Sequence, residues 1–348
     1  MPRVLLLVLA LVAVARAAQS PATATRVHLT ARASEIDPRA RPHPEINFVF
    51  VDPAGKPLDV EHAMVDPRVA PLGKLVICLM DYKAPLFERL ADYGLHAIQV
   101  HYANKWFDLI PGPTRDDGTS LGKIRLEATT GEDFSPLVAI PRPDGMKERA
   151  FQFVRWLARQ HPAGKWEQFI NAEGTGLQWD KVIVTGSSHG ATSATRFAVH
   201  QRVDRVVAFC GPRDQYETWQ GFPSATPPNR IFGFTHVEDT GWSGEHYCRS
   251  WQMLGLHRYG AVTDVDSTPP PFGNSRRLTT HFDVKGDVKR AHGSVTPGAA
   301  AGKDAAGQFL HEAVWRYLFT HPVDVVGEPV PPDPACGSKI PPAARPAR

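Results

Sequence analysis

Lys181-Val182-Ile183-Val184-Thr185-Gly186-Ser187-Ser188-His189-Gly190 runs from an apolar, β-branched segment into the pattern Gly-x-Ser-x-Gly. The Ala-rich segment Ala191 to His200 follows and reads as a helix. The whole is a strand, a sharp turn and a helix, with Ser188 at the apex. Gly186 and Gly190 fit that geometry, because a side chain at either position would crowd the turn or the crossing of strand and helix. The competing reading is an ordinary glycine-rich loop whose serine caps the helix.

The chain has 348 residues, enough for one large α/β domain. Its 39 Lys and Arg against 36 Asp and Glu leave a formal charge of +3, with the arginines scattered. No basic patch interleaved with aromatics marks a nucleic-acid surface. At the N-terminus, Met1-Pro2-Arg3 is basic, Val4 to Val14 is apolar, and Ala15-Arg16-Ala17 forms an Ala-x-Ala site. Residues 1–17 therefore read as a secretory signal peptide cut before Ala18. The apolar run is too short to span a bilayer comfortably, so an exported protein, periplasmic or extracellular and with no membrane span, is expected. Export permits disulfides. The four cysteines allow three complete pairings. Cys78 and Cys210 sit in strand-like runs as buried thiols, while Cys248 on a helix and Cys336 in the tail are better placed to meet.

Residues 18–41 read as an extended leader, 42–325 as the folded domain and 326–348 as a proline-rich, irregular tail. Within the domain, strands are expected at Ile46 to Val51, Leu75 to Met80, His96 to His101, Lys181 to Ser187, Arg205 to Cys210, Ile231 to Thr235 and Arg277 to Phe282. The segment Leu58 to Met64 reads as an edge strand or a loop. Helices are expected at Ala84 to Tyr93, Met146 to Gln160, Glu245 to Leu256 and Phe309 to Phe319. The polar stretch from Ala103 to Ser135 reads as an excursion able to form a lid or pocket wall. Alternating strands and helices predict a mainly parallel sheet with helices on both faces, in three layers.

With the elbow at Ser188 and a late His292, the region from Leu75 to Phe319 resembles the alpha/beta-hydrolases. More narrowly, Trp179-Asp180-Lys181-Val182-Ile183-Val184, and Arg277-Leu278-Thr279-Thr280 ahead of Ala291-His292-Gly293-Ser294, resemble a little-characterised group of exported bacterial serine hydrolases. The resemblance implies a nucleophilic serine followed in the chain by an acid and then a histidine. A serine hydroxyl needs such a base, and the base needs an acid to fix its tautomer.

His292 lies past the last expected strand, where a loop can reach the serine; His281 within that strand and His311 on the last helix are poorer placed. Asp239, after the strand from Ile231, is the preferred acid, with Glu238, Asp264, Asp266 and Asp214 as rivals. The oxyanion requires two donors. One is the His189 N–H, the other an N–H of Asp81 or Tyr82, in a loop lacking the His-Gly signature of many esterases. Trp242, Trp106 and Phe107 are candidate pocket aromatics, with Arg213 and Tyr216 candidates near the mouth. No dinucleotide fingerprint, phosphate loop or metal-ligand spacing is visible, so no cofactor and no metal is expected. The expected activity is hydrolysis of a small-molecule or polymeric carboxylic ester. A peptidase or amidase of the same fold, or a non-catalytic envelope binding protein, is the alternative. Nothing in the sequence sets the oligomeric state.

Overall fold

The computed structural model describes residues 25–108, 120–214, 218–243 and 246–336. The signal segment, most of the leader's first residues, Tyr216, Glu245 and the end of the tail lie outside them. In chain order the elements are β1 (Val27–Arg32), α1 (Ala33–Ile36), β2 (Val60–Val65), β3 (Leu75–Cys78), α2 (Ala84–Asp92), β4 (His96–Gln99), α3 (Ser120–Thr130), α4 (Met146–Gln160) and β5 (Val182–Ser187). They continue with α5 (His189–His200), β6 (Arg205–Phe209), β7 (Ile231–His236), α6 (Thr240–Ser243), α7 (His246–Met253), β8 (Val262–Asp264), β9 (Arg277–Thr280), α8 (Val288–Ser294) and α9 (Glu312–Thr320).

The described strands form one sheet of nine, ordered β1-β2-β4-β3-β5-β6-β7-β9-β8. β2 runs antiparallel to β1 and β4, and every other pairing is parallel. Every residue of β3, β6, β7 and β9 is buried. Successive side chains of a strand point to opposite faces, so both faces of the central sheet are covered. β3 accordingly reads as an unbroken apolar run, whereas β9 buries Arg277, Thr279 and Thr280 beside Leu278. The chain moves from β3 outward to β4 and returns on the other side of β3 to β5. The reversal opens a crevice at the carboxyl ends of β3 and β5, the usual ligand position in such sheets. Ser188 directly follows β5.

Several expectations need correction. Val27–Arg32, expected in an extended leader, is the edge strand β1, paired with β2 from Val27↔Val65 to Arg32↔Val60. The domain therefore begins before residue 42. Ile46 to Val51 is not a strand: Pro44–Ile46 is a 3-10 turn, and only isolated bridges His43↔Phe48 and Val51↔Pro57 follow. Val262–Asp264, not expected to pair, is the strand β8.

The excursion from Ala103 to Ser135 contains the buried helix α3, which packs on α5 and α4. Its inward residues include Arg125, Glu127, Thr129 and Thr130, so no apolar period betrays it. Glu127 accepts the backbone N–H groups of Phe134, Ser135 and Ile140 and ties the following turn to the helix. The tail has no regular element among its described residues, but Cys336 is bonded to Cys248 on α7. Cys78 and Cys210 are free and buried. Among the described residues, no helix is long and apolar enough to cross a membrane.

Candidate active site

Ser188 joins β5 to α5 at φ 54° and ψ −110°, a strained backbone for a residue with a Cβ. The turn closes only because its neighbours are glycines. A Cβ on Gly186 would lie 2.3 Å from the Gly190 carbonyl carbon, and one on Gly190 would lie 1.9 Å from Leu79 O. The Ser188 backbone is fully engaged: its N–H donates to Phe209 O (2.8 Å), and its carbonyl accepts from Thr192 N–H (3.0 Å) and Thr192 Oγ1 (2.8 Å). Its hydroxyl makes no capping bond to the helix. The serine therefore occupies the cap position without acting as a cap. Nor does the hydroxyl bond to His292, a spacing common in enzymes without substrate.

Asp239 stands in the turn between β7 and α6, fully buried. Its Oδ2 lies 2.5 Å from Nδ1 of His292. Its Oδ1 accepts from Gly241 N–H (2.7 Å) and from the Tyr247 hydroxyl (3.2 Å). Burial pushes the carboxyl up, but the contacts with His292, Gly241 N–H and Cys210 outweigh it and hold the group below its usual range. His292 lies on the short helix α8 rather than in an open loop. Asp287 caps that helix, accepting from Lys289 and Arg290 N–H. The imidazole remains partly open to solvent. The thiol of Cys210, the residue after Phe209, reaches His292 O at 3.2 Å. One short segment thus touches both the serine's backbone and the histidine's.

The rival acids are engaged elsewhere. Glu238 is exposed. Asp214 accepts from Arg125 Nε and Nη2, both at 2.8 Å, and from Trp219 Nε1 at 3.1 Å. Asp264 pairs with His281 (2.9 Å). Asp266 accepts from Thr280 Oγ1 and His281 N–H, both at 2.7 Å, and faces His311. The set Asp264, Asp266 and His281 brings donor atoms within 4.8 Å of one another, as do Cys210, Asp239 and His292. The first set is already paired internally and lies at the sheet's edge.

His189 opens α5, so its N–H lies at the helix start, where backbone donors point along the axis and out of the helix. Its ring is clamped from one side by Arg125, whose Nη1 lies 3.1 Å from Nδ1, and packs on Trp106 at 5.2 Å. Burial, followed by the Arg125 charge, drives the imidazole well below its ordinary pKa. Arg125 also reaches Ser193 Oγ (3.0 Å) and His189 O (3.3 Å). This buried guanidinium was not singled out from the sequence, where only its place in a polar stretch was visible.

Trp106 is fully buried and Trp242 half-buried against Trp251, so Trp106 is a wall beneath His189 rather than an open platform. Past β3, the Leu79–Met80 peptide lies against Gly190. The Asp81 side chain is exposed. The Tyr82 ring turns away to stack on His62 (4.0 Å) and His28 (5.0 Å). Arg213 is half-buried, its N–H held by Thr192 Oγ1. The Phe107 side chain lies outside the description.

The strand order, the strained serine turn and the sequence serine, aspartate, histidine define an alpha/beta-hydrolase fold. Several solved structures are similar to parts of this chain. A Klebsiella pneumoniae protein described as a dienelactone hydrolase shares 11% identity at a TM-score of 0.34, covering 74% of this chain and 85% of its own. Thermogutta terrifontis esterase 2 shares 12% at 0.33, covering 71% and 83%. Pyrococcus horikoshii acylaminoacyl peptidase shares 10% at 0.34, covering 69% of this chain and 36% of the peptidase. No family model and no curated protein matches the sequence.

Proposed function

We propose that the protein is a serine hydrolase that cleaves carboxylic esters, exported by its N-terminal segment and acting on a small-molecule or polymeric ester. The observation that carries the reading is the 2.5 Å contact between His292 Nδ1 and buried Asp239, at the end of the sheet where Ser188 is held in a strained turn. Asp239 accepts the Nδ1 proton of His292, which leaves Nε2 as a base. Nε2 takes the Ser188 proton as Oγ attacks the ester carbonyl. The His189 N–H and an N–H of the loop after β3, at Asp81 or Tyr82, hold the oxyanion.

The tetrahedral intermediate collapses, the imidazolium protonates the departing alkoxide, and an acyl-serine remains. Water, deprotonated by His292, attacks the acyl carbonyl, and Ser188 leaves with the proton returned. The Cys248–Cys336 disulfide suits an oxidising compartment and so supports export.

The test is intact-mass and peptide mapping after reaction with a fluorophosphonate. The expected result is one adduct, on Ser188, absent from Ser188→Ala, with ester turnover lost in that variant while the fold persists. Comparable turnover by Ser188→Ala would sink the reading.

A further inference from the structure

Asp239 is held by more than its histidine. Two donors converge on Oδ1, Gly241 N–H and the Tyr247 hydroxyl, and Tyr247 is fully buried on α7. The turn is shaped around this phenol. A Cβ on Gly241 would lie 2.0 Å from Tyr247 Cζ and 2.2 Å from its hydroxyl oxygen, so any side chain there would displace the ring. Burial, with Asp239's charge nearby, raises the phenol's pKa, so it remains a donor at any working pH.

The helix carrying Tyr247 is gripped from outside. Cys248, the next residue, is bonded to Cys336. One turn further, Gln252 Oε1 accepts from Asp333 N–H (2.7 Å) while its Nε2 donates to Asp333 O (3.2 Å). The C-terminal tail thus fastens α7 at two points beside the tyrosine. None of these groups takes part in attack, proton transfer or oxyanion binding.

We infer that Tyr247 is a positioning residue for Asp239, and that the disulfide-linked tail keeps it in place. The inference rests on the proposed Ser188–His292–Asp239 chemistry. Without the hydroxyl, Oδ1 keeps one donor, and the carboxylate is freer to rotate away from His292 Nδ1. The titratable groups facing Asp239 are His292, Cys210 and Tyr247, and the Arg213 charge acts on Tyr247 and Cys210.

The experiment measures ester turnover against pH for the full mature chain. It compares wild type, Tyr247→Phe, the double variant Cys248→Ser/Cys336→Ser, and the triple combination. Each is normalised to Ser188 sites titrated by fluorophosphonate. Tyr247→Phe is expected to lower kcat roughly tenfold or more, with KM unchanged. The double cysteine variant is expected to lose activity in the same direction but less. Tyr247→Phe should then cost less in that background than alone, because the phenol is already loosened.

A kcat per titrated site within twofold of wild type overturns the inference, even where Tyr247→Phe lowers Tm, since the ring would then only pack. Strict additivity overturns the role of the tail. A wild-type protein that neither labels at Ser188 nor turns over an ester sinks the catalytic reading itself.

Discussion

Asp239→Asn changes one atom of the proposed acid, and the structure dictates which way the amide must face. Oδ1 already receives Gly241 N–H and the Tyr247 hydroxyl, so the asparagine carbonyl belongs there. The NH2 then takes the place of Oδ2, 2.5 Å from His292 Nδ1. A donor there forces Nδ1 to accept, moves the imidazole proton to Nε2, and leaves no base facing Ser188. The opposite flip sets the NH2 against Gly241 N–H and abandons a buried donor, at about 3 kcal/mol including the weakened tyrosine bond. Roughly one molecule in a hundred would adopt it.

The population alone lowers kcat about 100-fold, and the lost negative charge carries the effect toward 10⁴-fold. The assay is hydrolysis of a chromogenic short-chain ester, with Tm checked alongside and exposed Glu238→Gln as the control expected to match wild type. Asp239→Asn within tenfold of wild type would refute the idea that this carboxylate orients His292.

Two further predictions concern stability. Arg125 and Asp214 are 1% and 6% exposed, so Arg125→Met strands a buried carboxylate and should cost about 3–5 kcal/mol in urea unfolding; a loss below 1 kcal/mol would contradict the pairing. Glu61 is fully buried, and burial pushes its carboxyl up to about 8 despite the opposing Arg149 charge. The folded chain therefore binds the extra proton between the unfolded value and about 8, so this group's stabilisation is complete below that window and lost as pH rises through it. Glu61→Gln should flatten the decline by up to about 3.5 kcal/mol, read as unfolding free energies at pH 5 and pH 8. An unchanged slope would show that Glu61 is ionised in the fold.

The central strand β3 and the apolar stretch of β5 were legible in the residues, because a parallel strand covered on both faces is mostly apolar. Elements whose partners are distant were not. Val27–Arg32 has a mixed pattern and becomes a strand only by pairing with Val60–Val65. The helix Ser120–Thr130 buries arginine, glutamate and threonine because Asp214, the turn at Phe134–Ile140 and its own carbonyls satisfy them. Read as a string, the same residues look solvated. Ile46 to Val51 errs in the other direction: its local alternation finds no strand to pair with.

The same division runs through the site. The strained serine turn lies within Gly186 to Gly190 and depends on two absent side chains, so those five letters, with the apolar strand before them and the helix after, suffice to recognise it. His292 could be proposed from chain order together with its place between the last strand and the last helix. The choice of Asp239 over Glu238, Asp214, Asp264 and Asp266 could not, since each is a plausible turn carboxylate until its partners are known. Asp239 meets a histidine 53 residues away, and Asp214 an arginine 89 residues away. The grip of the tail on the helix behind the acid spans 88 residues. Local backbone chemistry is written in consecutive residues, whereas the pairing of buried charges is fixed only when packing removes water and leaves each group only the few partners within reach.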